Sequence, residues 1–155
     1  MATAIKIKVD DAQLRRALQV APNKIINAMH RSLNRSAVQT QRYFREVLTE
    51  HGNVYTSHLR RSVHFQFKNK LSVTIEPEAK YADAVEKGTR PHKVSIRELE
   101  GWAKFRGINV YALQKSIMHK GTKAHPYEAD TAKRAIQFAT NDMQTQMNKA
   151  IKEIL

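Results

Sequence analysis

The sequence predicts an α+β fold: a small antiparallel sheet of about four strands packed by one long helix in the N-terminal half, with further short helices and a long C-terminal helix. Three observations carry the prediction. Ala4–Val9, Val63–Phe67 and Leu71–Ile75 alternate apolar and polar residues with the period of a half-buried strand, and a shorter run spans Tyr81–Val85. Pro22–Glu50 and residues 127–155 instead carry apolar residues at helical spacing. The 155 residues contain no divisive linker and no low-complexity tract, so residues 1–155 read as a single domain with one core.

In chain order, Ile5, Ile7 and Val9 face one way and Lys6 and Lys8 the other, as in an edge strand. Asp10 and Asp11 can cap a short helix bearing Leu14 and Leu18. Pro22 lacks an N–H and suits a first helical turn, which predicts a break near Ala21 and a new helix of ~40 Å that stops at Gly52. On that helix Ile26, Met29, Leu33, Ala37, Thr40, Phe44, Val47 and Leu48 share one arc, the predicted core face. Lys24, Arg31, Arg35, Arg42 and Arg45 occupy an arc ~80° wide on the opposite side. A charged arc is the ordinary solvated back of a core helix. Five cations with no intervening acid also suit an acidic partner or phosphates, although their mutual repulsion, ~0.2–0.5 kcal/mol per pair, is small enough for the fold to carry unaided.

The two central strands read as a hairpin. A three-residue loop, Lys68-Asn69-Lys70, pairs Phe67 with Leu71 and Phe65 with Val73, whereas a two-residue turn at Asn69-Lys70 sets apolar side chains opposite polar ones; the three-residue loop is therefore expected. Ser95 and Glu98 form a capping box for a helix with Ile96, Leu99, Trp102 and Phe105 that ends at Gly107, with Trp102 in the core. Asn109 caps a helix with Val110, Leu113 and Ile117 that runs into Gly121. The last helix starts near Pro126 and places Ala132, Ile136, Ala139, Met143, Met147, Ile151 and Ile154 in a stripe. Such methionines fill gaps in a core, and the same small, flexible stripe also suits docking on a neighbouring subunit.

The formal net charge of +13 favours nucleic acid, anionic membrane or acidic protein partners, and the cations are spread along the chain. The absence of cysteine excludes disulfides, thiolate zinc sites and cysteine nucleophiles, and fits a reducing cytoplasm. No run approaches the ~20 apolar residues of a membrane span, and the first residues carry no signal-peptide core, so neither export by a standard signal nor membrane insertion is expected. His30, His51, His58, His64, His92, His119 and His125 form no HxH or HxxxH pair, so no metal is expected. No serine-hydrolase elbow, Walker loop, dinucleotide fingerprint or carboxylate constellation is present, so neither catalysis nor a cofactor is expected.

The chain is organised around Tyr81–His92, where apolar residues surround Glu86 and lead into a glycine turn. Lys87–His92 reads KGTRPH and Lys120–His125 reads KGTKAH: two glycine turns with the same basic and histidine neighbours, stiffened beyond by Pro91 and Pro126. Their first reading is as corners that shape the fold. Glu86, if buried, needs a cation or several backbone donors. A structural ion pair with Arg60, Arg61 or Arg97 is expected, and an intersubunit contact is the second reading.

Tyr81-Ala82, Val85-Glu86 and Gly88-Thr89, followed by Gly121-Thr122 and Pro126-Tyr127, resemble the tail-completion (head-tail joining, or neck) proteins of tailed bacteriophages. Thr56–Val63, with Leu59, Arg60 and Ser62, is similar to that family's T-G-x-L-R-x-S segment entering a strand, with Ser57 where the family usually has glycine. The resemblance runs in order from about residue 5 to about residue 140. It implies a non-enzymatic virion protein, assembled in the host cytoplasm, that docks at the head-proximal end of the tail or in the neck and forms a ring there. Its implied partners are other tail or neck proteins, copies of itself, and DNA passing the junction, with no membrane. The candidate contact surfaces are the helix face from Lys24 to Arg45, the loops with Lys87, Arg90, Lys120 and Lys123, and the C-terminal helix. The alternative is a basic DNA-binding or architectural protein that lays the face Lys24–Arg45 on phosphates, although no helix-turn-helix is evident and the aromatics sit on apolar faces.

Overall fold

A computed structural model describes residues 12, 16, 19–52 and 57–154. The predicted strand Ala4–Val9, and the Asp10 and Asp11 caps with Leu14 and Leu18 of the predicted short helix, lie outside the described residues. The described architecture is α+β, with long helices and a two-stranded antiparallel sheet.

Pro22 does open the long helix. Gln19 and Val20 are helical, Ala21 interrupts with φ −143° and ψ 65°, and α1 then spans Pro22–Glu50. The C-terminal helix α6, Glu128–Lys152, packs antiparallel along α1, so that Glu50 meets Arg134 while Ser32 and Arg35 meet Asp142. This pairing rotates the buried arc of α1 from the one expected. Ile25, Ala28, Ser32 and Ser36 are buried beside Leu33, Ala37, Thr40, Phe44, Val47 and Leu48, while Ile26 and Met29 are only half-buried. The small residues Ala28, Ser32 and Ser36 carry the side of α1 turned to α6, and a helix covered by both a helix and a hairpin needs a wider buried arc than one covered once.

The stripe on α6 shifts for the same reason. Thr131, Ala135, Ala139, Met143, Met147, Ala150 and Ile151 are buried, Ala132 is half-buried, and Ile136 is exposed. Met143 and Met147 join Ile25, Ala28 and Leu33 in one core cluster, so most of this stripe packs within the chain and is not left free for a neighbouring subunit.

After the four-residue helix α2, His58–Arg61, the hairpin of β1, Val63–Asn69, and β2, Ser72–Pro77, packs on α1. Its register lies two residues from the one expected: Phe67 pairs with Val73, Phe65 with Ile75 and Val63 with Pro77. A shift of two keeps every side chain on its face, so apolar pairing does not distinguish the registers; the turn does. A bulge between Phe67 and Asn69 absorbs Lys68, and Asn69 Oδ1 accepts the Leu71 N–H at 2.9 Å. Leu71 thereby leaves the apolar face and is exposed.

Tyr81–Val85 is not a strand. Ala82–Lys87 forms helix α3, because alanines favour helix, Asp83 sits in the first turn, and Lys87 pairs with Asp83 one turn back at 3.3 Å. The second core cluster joins α1 to this region through Phe44, Val47, Leu48, Leu59, Val63, Ala79, Ala82 and Tyr127.

Helices α4, Ile96–Arg106, and α5, Val110–Lys120, form a helical hairpin whose closest packing is of its two helices on each other. Ser95 Oγ accepts the Glu98 N–H, one half of the expected capping box, while among the described residues the Glu98 side chain makes no return bond; Asn109 Oδ1 accepts the N–H groups of Tyr111 and Ala112 as expected, and Gly107 turns the chain at φ 66°. Trp102 is half-buried instead of core, with the Arg106 guanidinium 5.7 Å from its ring centroid, and Phe105 is exposed. Two helices packed mainly on each other do not enclose two large rings.

Candidate functional site

The two glycine turns, 33 positions apart in sequence, meet. Gly88 ends α3 and Gly121 ends α5, at φ 70°, ψ −179° and φ 73°, ψ −160°, a backbone region open essentially to glycine alone. Each threonine that follows donates its backbone N–H to the other's carbonyl at 3.2 Å, and the two hydroxyl oxygens lie 3.0 Å apart. The repeat in the sequence is therefore a clasp in space, with a local two-fold relation between KGTR and KGTK. It closes the base of the α4–α5 hairpin, helped by bonds from Gln114 Nε2 to the Val94 carbonyl and from the His92 N–H to the Ile117 carbonyl.

Glu86 anchors the clasp to α6. Its Oε2 accepts the backbone N–H groups of Tyr127 at 2.7 Å and Glu128 at 3.2 Å, so the expected ion pair with Arg60, Arg61 or Arg97 is replaced by two backbone donors at a helix N-terminus. Tyr127, fully buried, donates its hydroxyl to the Ala82 carbonyl and sets its ring edge-on to Phe44. Burial, followed by the neighbouring carboxylates of Glu128, Glu86 and Asp83, pushes its phenol well above the ordinary tyrosine range. The His125 N–H bonds the Val85 carbonyl and completes the attachment, while Pro126 itself is exposed.

The segment before β1 is held as tightly. Ser57 adopts a left-handed conformation, φ 55° and ψ 7°, the backbone that glycine takes without strain. Leu59 is buried; Ser62 Oγ donates to the Leu59 carbonyl and accepts the Ala79 N–H, tying α2 to the chain after β2. Arg60 reaches Thr49 Oγ1 at 3.4 Å, and Tyr81, 43% exposed, places its hydroxyl 3.3 Å from His58 Nδ1.

The basic arc of α1 is less uniform than its sequence suggests. Lys24, Arg31, Arg42 and Arg45 are exposed, and Arg45 lies among Glu46, Glu50 and Arg60. Arg35 is neutralised from outside its own helix, because Asp142 of α6 accepts its Nη2–H at 3.0 Å and the Ser32 hydroxyl at 2.5 Å. Burial opposes ionisation of Asp142, yet these two hydrogen bonds outweigh it and hold the carboxyl below its ordinary range. Arg134 likewise grips Glu50 through its two terminal guanidinium nitrogens, which hold the Glu50 carboxyl below its ordinary range. Spacing within one helix hides both ion pairs, since each acid comes from the other helix.

In the loops, Lys87, Arg90, Lys93, Lys120 and Lys123 are all exposed around the clasp. Among the described residues no three His, Asp or Glu side chains converge as a metal site would require, and no helix is long and apolar enough to cross a membrane. No protein-family model, curated protein or solved structure matches the chain.

Proposed function

We propose that this protein is a non-enzymatic structural subunit of a tailed bacteriophage, which completes the tail or joins it to the head at the neck and assembles there as a ring. The observation that carries the reading is the convergence of the family-like segments. Residues 57–63, 81–89 and 121–127 are remote in sequence, yet their motif residues are those that join elements: Leu59 and Ser62 below the hairpin, Glu86 and Tyr127 at the start of α6, and Gly88, Thr89, Gly121 and Thr122 in the clasp. Ser57 adds support, since it holds a glycine-type conformation at the position where the resemblance calls for glycine. A ring would repeat one weak contact several times, so a modest surface on each subunit suffices.

Mass spectrometry of density-purified particles, comparing complete virions with separated heads and tails, tests the assignment. Retention at a few copies per virion, tracking with tails or with the junction, is the expected result. Absence from complete particles removes the structural role and favours the alternative, a basic DNA-binding protein, for which the exposed Lys24, Arg31 and Arg42 on α1 are the supporting observation.

A further inference from the structure

We propose that the clasp is a phosphate-binding surface for the backbone of duplex nucleic acid, separate from the α1 face. Residues 87–93 and 119–125 contain Lys87, Arg90, Lys93, Lys120 and Lys123, together with three histidines, and no aspartate or glutamate. The Thr89–Thr122 bridge gathers these two acid-free loops into one exposed surface. Lys87 and Lys120 end helices, where a cation also serves the helix dipole. Arg90, Lys93 and Lys123 lie outside the helices, and among the described residues no side-chain hydrogen bond or ion pair engages them. Lys87 is also held by Asp83 one turn back, and gathering the other four cations is unfavourable unless an anion lies across them.

The geometry selects the kind of anion. An antiparallel bridge has a local two-fold axis, visible in the reciprocal 3.2 Å bonds and the matched glycine conformations. Under that axis Lys87 and Lys120, and likewise Arg90 and Lys123, occupy equivalent positions in their two loops. The two strands of a duplex are related by the same kind of axis, so one contact can be made twice. A protein partner would call for an apolar centre, from which lysine is depleted. The exposed Phe105, Ile108 and Tyr111 instead lie near the α4–α5 turn, at the other end of the helical hairpin. A single strand would call for aromatic rings to stack its bases, and Tyr127 beside the clasp is fully buried. Backbone contact without base readout remains.

This inference does not depend on the assembly role. Its test is fluorescence anisotropy of the full chain with a mixed-sequence duplex of about 30 base pairs across a salt series. If all five cations meet phosphates, affinity falls roughly 500-fold between about 50 and 200 mM salt, and the triple variant R90Q/K93Q/K123Q reduces that to roughly 10-fold. The variant K24Q/R31Q/R42Q on α1 keeps the wild-type slope. Each single change, Arg90→Gln or Lys123→Gln, flattens the slope by about one, which guards against a triple variant that fails to fold. A wild-type chain that does not bind, a clasp variant with an unchanged slope, a slope lost only from the α1 variant, or equal binding to vesicles of anionic lipid would each overturn the proposal. Duplex binding by a chain absent from particles would remove the assembly role and leave this one standing.

Discussion

Gly88 and Gly121 are locked against each other's loops: a Cβ on Gly88 would stand 2.4 Å from the Thr122 carbonyl oxygen, and one on Gly121 would stand 1.9 Å from that of Thr89. Both contacts are with backbone, which has nowhere to turn. The clasp therefore requires glycine twice, once for the dihedral angles and once for the space.

Gly88→Ala and Gly121→Ala should each destabilise the fold by about 2–4 kcal/mol, since strain of order 1–3 kcal/mol is joined by a clash. Gly107→Ala is the control. It also has positive φ, 66°, but nothing lies within 4 Å of its would-be Cβ, so strain alone should cost ~1 kcal/mol. Urea denaturation of the three variants should separate the clasp glycines from Gly107, and equal costs at all three positions would dissolve the steric argument.

Glu86 carries a second prediction, smaller than a buried ion pair would give. Removing one partner of a buried pair costs about 3–5 kcal/mol, whereas losing a cap costs about 0.5–2 kcal/mol. Because Glu86 caps α6 through the Tyr127 and Glu128 N–H groups, Glu86→Ala should fall in the lower range. Glu86→Gln retains an acceptor and should lose only the charge–dipole part, ~0.3–1 kcal/mol. Chemical denaturation decides, and a loss above 3 kcal/mol for the alanine variant would point to an uncompensated buried group.

Much of this fold is legible in the sequence where the signal is local. Pro22, the Ser95 and Asn109 caps, and the glycine stops at Gly107 and Gly121 mark their helices correctly, because a cap is a contact among residues at most four apart. Tyr81–Val85 reads as a strand only while alternation is weighed without propensity; its alanines and its Asp83–Lys87 pair favour α3. The hairpin register escapes because a two-residue slip preserves apolar pairing, and the choice falls to Asn69 and a bulge. At the site, the KGT repeat is visible as a repeat, but nothing in a linear sequence says that its copies bond each other. Arg35 reads as one of five unneutralised cations because its acid, Asp142, is 107 positions away.

That pair predicts an acid sensitivity. The Asp142 carboxyl is held below its ordinary value of 3.8 in the folded chain, so the unfolded chain binds the proton more readily. The stabilisation is therefore present above the ordinary value and is lost as pH falls through the folded one. Asp142→Asn should weaken the protein near neutral pH and flatten its melting temperature below pH ~4. Glu50 titrates in the same direction, but it is exposed beside Arg134, so its share should shrink with added salt while that of Asp142 persists. Parallel acid profiles for wild type and Asp142→Asn in high salt would contradict the assignment.

Tyr127 sets the opposite limit, on the alkaline side. Burial raises its phenol above the ordinary value of 10.0, so the unfolded chain releases the proton first as pH rises. The buried neutral hydroxyl thus stabilises the fold fully below pH ~10 and progressively less above it. Tyr127→Phe removes the titration but also leaves the Ala82 carbonyl without its donor, at a cost of ~1–2 kcal/mol. The variant should be less stable than wild type at pH 7 and should lose less of its remaining stability between pH 9 and 11. Absorbance at 295 nm offers an independent readout: one of the five tyrosines should ionise only as the fold is lost. If all five titrate together before the circular dichroism signal changes, Tyr127 is not sealed beneath α3, and the joint between Glu86, Ala82 and α6 is looser than its hydrogen bonds indicate.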